Sequence, residues 1–127
     1  MSSGRTLATA DDVAPAIGPY SHAAGGGGIV CCSGQLPLDA GGEIVGEDAA
    51  AQARQCLENL QRVCRAAGTE LRRALRVGVY LVDLDEFAAV NEVYAEFLGD
   101  SAPARSTIGV ASLPRGARVE IDAIVLA

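Results

Sequence analysis

The chain has 127 residues, half of them apolar and a fifth charged, with a formal net charge of −6. That length suits one domain over residues 1–127 with a single core, and the composition excludes a disordered chain. The acidic balance argues against a phosphate-backbone partner, because nucleic-acid binders carry a basic stripe. No run nears the ~20 apolar residues that span a bilayer.

The basic residues are all arginines and are scattered. The one cluster, Arg72, Arg73 and Arg76, reads as a solvated turn. No apolar leader follows the N-terminus, so a cytoplasmic protein is expected. Cys31, Cys32, Cys56 and Cys64 fit that expectation as reduced, buried thiols. Cys31 and Cys32 are adjacent on a strand and point to opposite faces, so they cannot chelate or bridge as a pair. With His22 as the single histidine, no structural zinc ligand set stands at usual spacing.

In chain order, Gly25–Gly28 comes first. It lacks the Lys-Ser/Thr of a phosphate loop and precedes the strand-like Ile29-Val30-Cys31-Cys32, so it reads as a turn between two strands. A helix is expected from Asp48 to Ala67. Its apolar stripe is Ala53, Cys56, Leu57, Leu60, Val63 and Cys64, with Asp48 as cap and Gly68 as stop. Next, Leu75, Val77, Val79 and Leu81 form one face of a strand. A second helix is expected from Asp85 to Leu98, with Phe87, Val90, Tyr94, Phe97 and Leu98 on its buried face, Asp85 as cap and Gly99 as stop. Arg105 then lies in a strand-like run, and Val119, Ile121, Ala123 and Val125 form one face of a last strand.

The pattern predicts an α+β sandwich: one mixed sheet with two helices on one face. The two strand-helix-strand units imply right-handed crossovers if their strands are parallel neighbours. The opposite sheet face carries Arg76, Gly78, Tyr80 and Val82 on one strand and Glu120, Asp122, Ile124 and Leu126 on another. Half apolar and half polar, it suits contact with another subunit.

Arg105 and Glu120 are charges on apolar strands, where a charge is paired or functional. They read as a structural ion pair, as ordinary solvated positions, or as a reacting site. An arginine fork binds a carboxylate bidentately, and a nearby carboxylate can take a proton from attacking water. Ser21-His22 is no nucleophile-base pair, since neighbours on a strand face opposite ways. Ser33 reads as a turn or pocket residue, Asn91 as a helix-face amide and Tyr20 as packing after a rigid turn.

Six segments together resemble the RidA/YjgF family, also labelled L-PSP endoribonuclease or translation inhibitor. They are Ile17-Gly18-Pro19-Tyr20-Ser21, Ser33-Gly34-Gln35-Leu36-Pro37, Ala51-Gln52-Ala53-Arg54-Gln55, Asn91-Glu92-Val93-Tyr94, Pro103-Ala104-Arg105-Ser106, and Leu113-Pro114 with Val119-Glu120-Ile121. The resemblance implies a chorismate-mutase-like fold and a homotrimer with clefts between subunits. It also implies cofactor-independent hydrolysis of 2-aminoacrylate and 2-iminobutanoate, the reactive products of pyridoxal-phosphate-dependent dehydratases. Carried over, Arg105 holds the substrate carboxylate and Glu120 activates water. Tyr20, Ser33 and Asn91 line the pocket, Gly34 gives close backbone approach, and backbone around Thr107 meets the imine nitrogen. Thr107 stands where many members have cysteine, and His22 where glutamine is common. Three rival readings stand beside it: an endoribonuclease or translation inhibitor, a non-catalytic trimer that binds small carboxylates, and a chorismate-mutase-like isomerase, for which one arginine is thin for a dicarboxylate substrate.

Overall fold

The computed structural model of the chain describes residues 4–127. Its strands are β1 (Thr6–Ala8), β2 (Ala23–Gly26), β3 (Ile29–Gln35), β4 (Ala74–Leu81), β5 (Ala104–Gly109) and β6 (Val119–Leu126); its helices are α1 (Ala49–Ala66) and α2 (Phe87–Leu98). The strands form one mixed sheet in the order β1-β2-β3-β6-β4-β5. This is the α+β architecture expected from the pattern.

Gly27 and Gly28, at φ of 62° and 85°, make the two-residue turn between β2 and β3. A positive φ at both central positions matches the right-handed twist of the flanking strands. α1 starts where expected: the Asp48 carboxylate accepts from the Ala51 N–H at 2.8 Å. It ends in a Schellman motif, with Gly68 at φ 83°. There the Thr69 N–H reaches the Cys64 carbonyl at 2.9 Å and the Gly68 N–H the Arg65 carbonyl at 3.0 Å. Cys56, Leu57, Leu60, Val63 and Cys64 are fully buried. They pack on Val77, Val79 and Leu81 of β4 and on Val119, Ile121, Ala123 and Val125 of β6. Truncating Leu57 to alanine here costs about 2–5 kcal/mol.

Four details differ from the pattern. Leu75 is exposed, because a register shift between Ala74 and Arg76 turns it out of the alternation. A 3-10 turn (Leu84–Glu86) precedes α2, and its cap is Asp83, whose side chain accepts from the Asp85 N–H at 2.9 Å; Asp85 is not the cap. Gly99 does not stop the chain's helical course: at φ −60° and ψ −37° it opens a further 3-10 turn. Cys31 is exposed, while Cys32, Cys56 and Cys64 are buried.

β4 and β5 are parallel neighbours joined through α2. β3 and β4 are not neighbours, since β6 lies between them and pairs antiparallel with both. Inserting the last strand there puts Glu120 near the middle of the sheet and leaves Arg105 on its edge. No helix of the described residues is long and apolar enough to cross a membrane.

Candidate active site

β6 alternates cleanly. Val119, Ile121, Ala123 and Val125 face the helices, so Glu120 and Asp122 face the helix-free side. Glu120 pairs in register with Tyr80, and Asp122 with Gly78. Asp122 is well satisfied: it accepts from the Gly78 N–H at 3.1 Å and the Tyr80 hydroxyl at 3.0 Å, and pairs with Arg76 at 3.5 Å. Among the described residues Glu120 has no such set. Burial first, and the charge of Asp122 second, push its carboxyl above the ordinary 4.5.

Gly34, on β3, lies directly against that carboxylate. A Cβ at this position would overlap the Glu120 Oε2 and come within 2.9 Å of its Cδ. Any side chain here would displace that carboxylate, so space and not backbone angle accounts for the glycine. Ser33 is fixed beside it: its hydroxyl donates to the Ser21 carbonyl at 2.6 Å and its N–H to the His22 carbonyl at 2.9 Å. Tyr20 stands nearby on the loop before β2, with its hydroxyl accepting from the Ile17 N–H at 3.3 Å. Tyr20, Ser33, Gly34 and Glu120 line one cavity of about 410 Å³. Ala14, Pro15, Ile17, Leu36, Leu38 and Pro114 give it apolar walls, and His22 and Gln35 complete it.

Arg105 is elsewhere. In β5 it pairs with Val77, a core residue, so its side chain leaves the sheet on the helix side. There it lies over the Tyr94 ring at 4.7 Å and the Phe87 ring at 5.5 Å, and donates to the Asn91 Oδ1 at 2.7 Å. Thr107 pairs with Val79 and shares that face. Among the described residues no carboxylate lies within ion-pair distance of Arg105; the four ion pairs are Arg54–Glu96, Arg62–Asp12, Arg76–Asp122 and Arg118–Glu86. Arg105 is thus an exposed cation held in place by two rings and an amide. The ion-pair reading of Arg105 with Glu120 is excluded within one chain.

The predicted residues therefore fall into two groups: Tyr20, Ser33, Gly34 and Glu120 in one, and Asn91, Arg105 and Thr107 in the other. Asn91 bonds the arginine rather than backbone, as its helix-face position alone had suggested. The aromatic cradle of Phe87 and Tyr94 was not anticipated as part of the site. Phe87, Asn91 and Tyr94 stand at i, i+4 and i+7 on α2, a spacing that puts all three on one face.

The family model described as Endoribonuclease L-PSP matches residues 11–127. The chain belongs to this family, that of RidA and YjgF. It is 47% identical over 116 residues to the RutC family protein y4sK of Sinorhizobium fredii, covering 91% of this chain and 92% of the relative. It is 40% identical to the 2-iminobutanoate/2-iminopropanoate deaminase of Salmonella typhimurium, over 96% of this chain and 97% of that protein. Among solved structures, E. coli TdcF with bound serine superposes with a TM-score of 0.90 at 36% identity, covering 96% of this chain and 98% of that one. RidA/YjgF membership thus rests on the whole fold and not on the six segments alone.

Proposed function

We propose that this RidA/YjgF protein, its whole chain acting as one domain, is a cofactor-independent imine deaminase of the cytoplasm. It hydrolyses 2-imino acids, such as 2-iminobutanoate and 2-iminopropanoate, to 2-keto acids and ammonia. One observation carries the reading. A half-buried carboxylate, raised above its ordinary value by burial, lines a cavity, and a carboxylate-free arginine fork stands on the other sheet face. Neither group alone performs the chemistry. Brought together by a second copy, they suit hydrolysis at the carbon next to a carboxylate.

The enamine form of the substrate first tautomerises to the imine. Arg105 of one subunit holds the substrate carboxylate bidentately, and the Asn91 amide and the two rings keep the fork in one orientation. Water enters between the imine carbon and Glu120 of the neighbouring subunit. Glu120 takes a proton as the water oxygen bonds to that carbon, the C=N electron pair moves to nitrogen, and the carboxyl hands that proton on to nitrogen. The hydroxyl proton of the tetrahedral adduct then passes through Glu120 to the amine, the C–N bond breaks as the carbonyl forms, and ammonia leaves with Glu120 ionised again. Water's oxygen remains as the keto group. A carboxyl raised by burial is a stronger base than an ordinary glutamate, and a dry wall strengthens its pull on water. Tyr20 and Ser33 line the pocket, and backbone near Thr107 meets the nitrogen end.

A homotrimer with three clefts is part of this proposal, since the two groups cannot meet within one chain. The serine bound to the related TdcF has the three-carbon skeleton of 2-iminopropanoate, which supports a small carboxylate ligand. The endoribonuclease description of the family favours RNA cleavage as a second reading. Against it stand the charge of −6 and a lone histidine whose two ring nitrogens are both bonded to backbone.

The test is a coupled assay in which a threonine or serine dehydratase generates the imine and 2-keto acid appearance is followed. Wild type accelerates the reaction and Arg105→Ala does not. A folded wild type that gives no acceleration rules the proposal out for these imines. If Glu120→Gln loses turnover while still binding the keto acid product, the site is an enzyme's and not merely a carboxylate binder's.

A further inference from the structure

We infer that His22 is the positioning residue of the cavity, pinning the loop that carries Tyr20 and the apolar wall; this rests on the deaminase reading of that cavity.

Residues 9–22, between β1 and β2, adopt no strand or helix. Yet Ala14, Pro15, Ile17 and Tyr20 from this stretch line the cavity that Glu120 also lines. Something other than a ladder must hold them. Ala10 and Val13 are buried in the core and anchor the near end. Beyond Val13 the loop turns outward, with Ile17 and Tyr20 exposed.

His22 is only 2% exposed, and both ring nitrogens reach back into this loop. The Ala10 N–H donates to Nδ1 at 3.0 Å, and Nε2 lies 3.1 Å from the Ala14 carbonyl. A carbonyl only accepts, so Nε2 carries the proton; Nδ1 accepts, so it carries none. The two contacts define one neutral tautomer and span the segment Ala10–Ala14 like a clip. Its own carbonyl accepts from the Ser33 N–H at 2.9 Å, which ties the clip to β3 beside Gly34. The imidazole lines the same cavity as Glu120 and would pass for a second acid-base group. With both nitrogens engaged by backbone, it has no lone pair or proton left for a substrate. Its work is geometric.

The two halves of the clip can be removed separately. His22→Asn keeps an acceptor near Nδ1, and His22→Gln keeps a donor near Nε2. Because the chain has a single histidine, its imidazole nitrogens give one unambiguous pair of 15N resonances in the intact protein. The expected signature is the neutral Nε2–H tautomer at pH 7.5. The Ala10 amide should be protected from hydrogen exchange in wild type and His22→Asn, and exchange freely in His22→Gln and His22→Ala. In His22→Ala, affinity for 2-oxobutanoate should fall about ten-fold or more while kcat stays within about three-fold, the mark of lost positioning rather than lost chemistry. His22→Asn should recover part of the affinity.

An Nδ1–H or charged imidazole, or an unprotected Ala10 amide in wild type, overturns the clip. Unchanged affinity in a folded His22→Ala, with wild type binding normally, overturns the positioning role alone. A wild type that neither turns over imine nor binds 2-oxobutanoate overturns the deaminase reading, and this role with it.

Discussion

Arg105 and Glu120 leave opposite faces of one sheet: Arg105 shares the face of Val77 under the helices, and Glu120 that of Tyr80 on the bare side, with β4 between their strands. No side-chain rotation can join them within one chain. Any site that uses both must be built from two copies, which gives the helix-free face a reason to be half polar.

Arg105 is exposed and its contacts are made at the surface. Arg105→Ala should therefore change stability by no more than about 1 kcal/mol, while abolishing acceleration in the coupled assay. Arg105→Lys should not rescue it, because a point charge replaces a planar fork that stacks on Tyr94 and Phe87. Thermal unfolding beside the assay checks both statements.

Gly34→Ala forces its methyl into the Glu120 carboxylate. The carboxylate is the end of a flexible side chain and must swing away, at a cost near the low end for overpacking, about 1 kcal/mol. Turnover should fall further than stability explains. The double variant Gly34→Ala with Glu120→Ala should regain stability, because the overlapping group is gone, and a two-by-two unfolding cycle measures that recovery.

The raised carboxyl of Glu120 makes a signed prediction for pH. In the unfolded chain it ionises at its ordinary value, 4.5, and in the folded chain higher, owing first to burial and then to Asp122. Its stabilising contribution is complete below 4.5 and is lost as pH rises through the folded value. Glu120→Gln does not titrate, so its stability relative to wild type should grow between acidic and neutral pH. Chemical denaturation across that range measures the gap. The acid limb of the wild-type rate profile should also lie above 4.5.

Tyr94 separates ring from hydroxyl. Its ring lies under Arg105, but its hydroxyl is buried with no hydrogen-bond partner among the described residues. Tyr94→Phe should keep activity and leave stability equal or up to about 1 kcal/mol higher, since an unsatisfied group is removed. Asn91→Ala frees the guanidinium and should weaken binding of 2-oxobutanoate several-fold with little loss of stability.

Much of this was legible in the sequence. Asp48, Gly68 and the three-and-four spacing from Ala53 to Cys64 mark α1 to within a residue, because cap and stripe are local chemistry. The alternation in β6 placed Glu120 on the helix-free face. What was not legible depends on partners far along the chain. The bulge that turns out Leu75 comes from pairing with β6, and no local signal marks it. Insertion of β6 between β3 and β4 is likewise decided by tertiary pairing, as is the phase that sends Arg105 and Glu120 to opposite faces. Asp83 took the cap from Asp85 because both are capping residues two positions apart. His22 carried no signal, since its partners Ala10 and Ala14 contribute only backbone.

The most direct test of the two-copy site is complementation. Arg105→Ala and Glu120→Gln, each inactive alone, are mixed in equal amounts, unfolded and refolded together, and assayed for imine hydrolysis. If each cleft takes its arginine from one subunit and its glutamate from the next, about a quarter of the clefts in random trimers carry both, and activity returns to roughly that fraction of wild type. Mixed trimers, shown by mass spectrometry to have formed, that stay inactive would contradict the account.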